Sequence, residues 1–152
     1  VDADWGGDTP HRKSVSGILI RLAGGTILYK SKYQDTVALS STEAEFAAAC
    51  EAGKAILYVR SILDEIGISQ NEATTLFIDN NGALLMGNAQ QPTPRTRHMA
   101  IKTFALIDWV EKDLLTMKRA LGVSVFVLLK DFQAVIARLC INGSKKGLPL
   151  TV

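Results

Sequence analysis

The sequence predicts an α/β fold, with a mixed central sheet whose antiparallel β-meander is followed by flanking helices. Three observations carry this prediction. β-branched and apolar runs separated by turn residues fill the first third. A long stretch of three-four apolar periodicity follows at 40–67, and beyond it short apolar runs alternate with helical patterns.

The elements follow in order. SVSGILIRL at 14–22 has strand character, Gly24-Gly25 supplies a tight turn, and TILYKSKYQ at 26–34 returns as the hairpin partner. SSTEAEFAAACEAGKAILYVRSILDEIG at 40–67 is the strongest helix: Phe46, Cys50, Gly53, Leu57, Arg60 and Leu63 step by three and four, and Gly67 ends it. TTLFID at 74–79 reads as a short buried strand and NNGALLMGNA as the helix after it. Pro92 and Pro94 make 92–98 a loop. IKTFALIDWVEKDL at 101–114 is amphipathic, turning Phe104, Ile107, Trp109 and Val110 toward packing partners, and LLTMKR at 114–119 closes the sheet. Beyond Arg119 the composition changes, so residues 1–119 read as one domain and 120–152 as a divergent segment holding a replacement strand and helix. At most one residue precedes Asp2 where a strand should deliver it, so the chain reads as a piece of a longer polypeptide.

With 152 residues, 47% of them hydrophobic, the chain can bury one sizeable core. A net charge of +2 does not by itself announce a nucleic-acid partner. The distribution says more, because Arg12, Lys13, Arg21, Lys30 and Lys32 fall between Asp8 and Asp35 with no acid among them. A basic sheet edge beside an acidic site suits a polyanion, and a solvated strand face explains it equally well. Cys50 and Cys140 lack metal or CxxC spacing, which points to a reducing, intracellular setting. No apolar stretch approaches the roughly 20 residues of a membrane span, so no membrane partner is expected.

Three acidic segments stand where β-like runs meet turns or helix starts: Asp2 and Asp4, Glu43 and Glu45, and Asp79. Carboxylates converging within a few ångströms cannot all stay ionised without a cation, which points to divalent-metal phosphoester hydrolysis. Asp79 ends the run Leu76-Phe77-Ile78, although an Asx-turn or helix cap would also use it. Ser40 and Glu43 spell a capping box, which gives Glu43 a structural role; Thr42 with Glu45 would make the same box later. Glu45 borders the buried face and is the better metal ligand. Asp2 and Asp4 share one face of a regular strand, one suited to metal and the other to a turn. Trp5 reads as core.

DADWGGD, HRKSVSG, KSKYQDTVALSSTEAEFAAA, FIDNNGAL and RTRHMAIK, in this order and spacing, resemble the ribonuclease H domain of copia-type (LTR) retrotransposon polyproteins, from residue 1 to about Arg119. The resemblance implies a ribonuclease H-like fold and hydrolysis of the RNA strand of an RNA/DNA hybrid. It carries three catalytic metal ligands onto Asp2, Glu45 and Asp79, in agreement with the capping argument. Two Mg²⁺ ions about 4 Å apart, or Mn²⁺, would activate water and stabilise the leaving oxygen. Asn80, Arg97 and His98 are the polar candidates for the hybrid, with loop solvation as their ordinary alternative. Implied partners are the hybrid and the reverse-transcriptase domain of the same polyprotein, in cytoplasmic retroelement particles.

The chain departs from the family pattern in two places. Ala100 stands where the family carries an Asp after the His, and nothing beyond Arg119 resembles the segment that supplies a fourth metal ligand. Asp131, between VSVFVLLK and FQAVIARL, is the one substitute, though an Asp before a helical run is more often an N-cap. The alternatives are therefore an inactive remnant that keeps the fold and hybrid binding, another phosphoryl transferase on the same fold, or an interaction module.

Overall fold

The computed structural model describes residues 1–5, 12–88, 100–120 and 127–129. Its elements are β1 (Asp2–Asp4), β2 (Val15–Leu22), β3 (Gly25–Tyr33), α1 (Ser41–Glu65), β4 (Thr74–Ile78), α2 (Asn81–Gly87), α3 (Ala100–Glu111), β5 (Leu115–Arg119) and β6 (Val127–Leu129). The fold is mixed α/β. β1, β2 and β3 pair antiparallel, and β4 pairs parallel with β5. β6 joins the two sets, running parallel to β2 and antiparallel to β4.

β3 covers one edge of β2 from Val15 to Leu22, so β1 and β6 must share the other edge. β1 takes Val15 to Gly17 and β6 takes Ile20 to Leu22. Both therefore lie in the gap between β2 and β4. The Val1 backbone nitrogen confirms this for β1 by donating to Phe77 O at 3.0 Å.

The hairpin turn is Ala23–Gly24, one residue earlier than the Gly24-Gly25 pair suggested. Leu22 pairs with Gly25, and the two loop residues have φ of 53° and 82°. Positive φ at both central positions matches the right-handed twist of the flanking strands.

α1 starts where the capping pattern places it, with Ser40 Oγ accepting from Glu43 N–H at 3.2 Å. It ends at a positive-φ Gly67, whose N–H donates to Asp64 O while Ile68 N–H donates to Leu63 O. The alanines at 44, 47, 48, 49 and 52 are all buried, and this small-residue face lets the helix lie close to the sheet. Phe46, Ile56, Leu76, Ile78, Leu106 and Leu115 form the fully buried centre.

α1 also approaches α3 closely. A Cβ on Gly53 would stand 2.7 Å from Trp109 Cζ3, so glycine makes room for the indole. Two expectations for these helices fail. Phe104 is 57% exposed, because the buried side of α3 runs through Leu106 and Ile107 instead. Arg60 does not join the apolar stripe: its guanidinium donates to Gln70 O at 2.6 Å, Glu72 O at 2.8 Å and Thr74 Oγ1 at 2.9 Å. It ties the loop before β4 to α1. Among the described residues no helix is long and apolar enough to cross a membrane.

Candidate metal centre

Asp2, Glu45 and Asp79 converge. One carboxylate oxygen from each lies within 4.8 Å of the others. Three separate elements achieve this. The Val1–Phe77 hydrogen bond sets β1 level with the end of β4, which brings Asp2 alongside Asp79. Glu45 enters from the first turns of α1, which contacts both strands.

The polar residues of these segments divide by role. Glu43 serves the helix start, its Oε2 accepting from Leu39 N–H at 2.8 Å. The capping box is thus displaced by one residue, since Leu39 rather than Ser40 supplies the amide. Asn80, not Asp79, caps α2, accepting from Ala83 N–H at 3.1 Å through Oδ1. Asp79 is thereby left for other work. Asp4 is exposed and outside the converging group.

Glu45 is 5% exposed, and its Oε2 has no hydrogen-bond partner. Burial pushes its pKa up to about 8, reinforced by the close approach and negative charge of Asp79 and by the negative charge of Asp2. A buried acceptor oxygen without a donor, beside two more carboxylates, fits a hard divalent cation. Loading such a cation must displace the proton Glu45 otherwise keeps.

The remaining candidates fare differently. Asn80 lies beside the acids, but its Oδ1 is engaged in capping. Arg97, His98 and Asp131 lie outside the described residues. Trp5 is not core: it is 55% exposed, and its indole N–H donates to Ala38 O at 3.1 Å. The basic run is partly neutralised across space, with Lys30 3.7 Å from Glu51 and Lys32 3.4 Å from Asp35. Glu51 belongs to α1, which no reading of the local run would have revealed. Sequence reasoning also missed Thr42 as a neighbour of Asn80, at 3.4 Å. The two residues are 38 positions apart on separate elements, so no local pattern joined them.

Over 115 residues, 76% of its length, the chain is 36% identical to the retrovirus-related Pol polyprotein from transposon TNT 1-94 of Nicotiana tabacum. The chain is a relative of plant transposon Pol polyproteins. A second such polyprotein, from transposon RE2 of Arabidopsis thaliana, is 33% identical over 100 residues, 66% of the chain. This Pol relative spans only 9% and 7% of the lengths of those two proteins. It is also 57% identical over 51 residues, 34% of its length, to the secreted RxLR effector protein 161 of Plasmopara viticola, covering 36% of that protein. No protein-family model and no solved structure matches it.

Proposed function

We propose that this Pol relative is a ribonuclease H-like domain that hydrolyses the RNA strand of RNA/DNA hybrids, using Asp2, Glu45 and Asp79 as ligands for divalent metal. The observation that carries this reading is the convergence of those three acids, from β1, α1 and the end of β4, within 4.8 Å. Similarity to transposon Pol polyproteins supports it by supplying a setting in which such hybrids arise.

Bound Mg²⁺ or Mn²⁺ would supply Lewis-acid activation of water and charge stabilisation at the leaving oxygen. The chain's own residues hold the site. Asp2 and Asp79 present exposed carboxylates to the solvent side, where a phosphodiester backbone can approach. Glu45 contributes from below, buried and with one oxygen unpartnered. None of the three is placed as a nucleophile, because carboxylates sharing a cation serve as ligands. The proposed partners are the hybrid and the reverse-transcriptase domain of the same polyprotein, within intracellular retroelement particles.

The test is incubation of the chain, and of Asp79→Asn, with a labelled RNA/DNA hybrid, with and without Mg²⁺. Metal-dependent cutting of the RNA strand that disappears in Asp79→Asn supports the proposal. Hybrid binding without cutting assigns an inactive remnant, and neither binding nor cutting assigns an interaction module.

A further inference from the structure

The first turns of α1 and α2 touch at a point immediately behind the acids. Thr42 lies one helical turn before Glu45, and Asn80 directly follows Asp79. The Thr42 hydroxyl donates to Asn80 Oδ1 at 3.4 Å, the same oxygen that accepts from Ala83 N–H. Gly82 completes the contact. A Cβ there would stand 2.9 Å from Thr42 Cγ2, 3.0 Å from Thr42 Oγ1 and 3.1 Å from Asn80 Oδ1.

Glycine is not needed at this position for its backbone. Gly82 is absent from the positive-φ glycines among the described residues, which are Gly24 and Gly67, and it sits within the α2 helix. Alanine would be the better residue there by helix propensity, by a part of the roughly 1 kcal/mol that applies in a helix interior. What the glycine provides is approach: it lets α2 close on Thr42 to a distance no side chain permits.

We propose that Thr42, Asn80 and Gly82 form a clasp between the two helix starts that sets the separation of Glu45 from Asp79, and with it the affinity of the centre for a divalent cation. This rests on the metal-binding reading above. Thr42 and Gly82 are positioning residues and touch neither the cation nor the substrate. The clasp acts because Glu45 follows Thr42 by three residues on α1, and Asp79, in the link between β4 and α2, precedes Gly82 by three. A displacement of a few tenths of an ångström at Gly82 therefore passes to Glu45 and Asp79 with little chain to absorb it. Removing a direct hydrogen-bond partner of a metal ligand typically lowers affinity by about 10–100-fold, and the clasp, one residue further out, acts at the low end of that range.

The experiment is calorimetric titration of Mn²⁺ into the full chain without substrate, paired with urea unfolding in EDTA. Gly82→Ala should weaken Mn²⁺ binding roughly tenfold. Adding Thr42→Ala to Gly82→Ala removes both clashing atoms and should recover part of that loss, as coupled neighbours do. Thr42→Val keeps the volume but loses the hydroxyl, and should also bind Mn²⁺ more weakly while remaining folded. Gly53→Ala overpacks α1 away from the acids and serves as the control: it should lower stability and leave Mn²⁺ affinity unchanged. Wild-type affinity in folded Gly82→Ala overturns the clasp. If Gly82→Ala does not fold, wild-type affinity in Thr42→Val overturns it instead. Equal weakening in Gly53→Ala also overturns it, because affinity would then merely follow stability. A wild-type chain that binds no Mn²⁺ overturns the reading of the centre itself, a result distinct from all of these.

Discussion

Glu43 and Glu45 lie two residues apart at the start of α1 and serve different ends. Glu43 accepts the Leu39 amide at 2.8 Å, whereas Glu45 is buried against Asp79 and Asp2 with an unpartnered oxygen. Identical side chains are separated by where the helix turns them. Glu43→Gln should therefore cost about 0.5–1 kcal/mol by weakening the helix start, with Mn²⁺ affinity retained. Glu45→Gln should abolish high-affinity Mn²⁺ binding. Urea unfolding and metal titration of the two variants decide this, and the reverse pattern would exchange their roles.

In the metal-free chain Glu45 is raised to about 8, so its contribution to stability is full below its ordinary value of 4.5 and is lost as pH rises through about 8. Measured against Glu45→Gln, Tm in EDTA should therefore fall as pH rises from 5 to 8. A difference in Tm that rises over this range contradicts the assignment of Glu45.

Metal loading should carry the same signature. Because the cation displaces a proton from Glu45, Mn²⁺ affinity should increase with pH up to about 8 and then level. Calorimetry in buffers of different ionisation enthalpy should show proton release below that pH. Heats independent of buffer would exclude a protonated ligand.

Gly53 faces the ring of Trp109, with only 2.7 Å available to a Cβ at Cζ3 and 3.2 Å at Leu115 Cδ1. Helix propensity alone makes Gly53→Ala stabilising by roughly 1 kcal/mol. Overpacking of this kind typically costs about 1–3 kcal/mol, and a net loss is expected. Urea midpoints read the sign directly.

Arg60 holds the loop before β4 through three acceptors, Gln70 O, Glu72 O and Thr74 Oγ1. Arg60→Met keeps the aliphatic stem and removes these bonds. Charged hydrogen bonds contribute about 1.5–3 kcal/mol each, partly replaced by water at an exposed loop, so a loss of about 2 kcal/mol is expected. Arg60→Lys should recover little of it, since an ammonium cannot span the fork.

Much of this was legible in the residues themselves. The α1 pattern, its Ser40 cap and Gly67 stop are local, set by backbone groups within a few residues. The separation of Glu43 from Glu45 also followed from helix phase. Other features were not local. Trp5 reads as core by type, yet it is exposed and hydrogen-bonded to Ala38, because β1 ends before the indole can reach the sheet interior. Arg60 has the phase of the apolar stripe, but the carbonyls it binds belong to a loop that returns only after α1 ends. The Ala23–Gly24 turn was displaced by one residue because register, set by the pairing of Leu22 with Gly25, overrides the local glycine pair.

By itself, the sequence determined which acids stood at element boundaries, which helix would carry Glu45, and that Glu43 had a role in starting that helix. Those are questions of period and capping, answered by neighbours along the chain. Only the tertiary structure decided that Asp2, Glu45 and Asp79 meet within 4.8 Å, that Asn80 relieves Asp79 of capping, and that Gly82 lets α2 close on Thr42. Distances between separate elements depend on strand register and helix packing, and neither is encoded within any one segment.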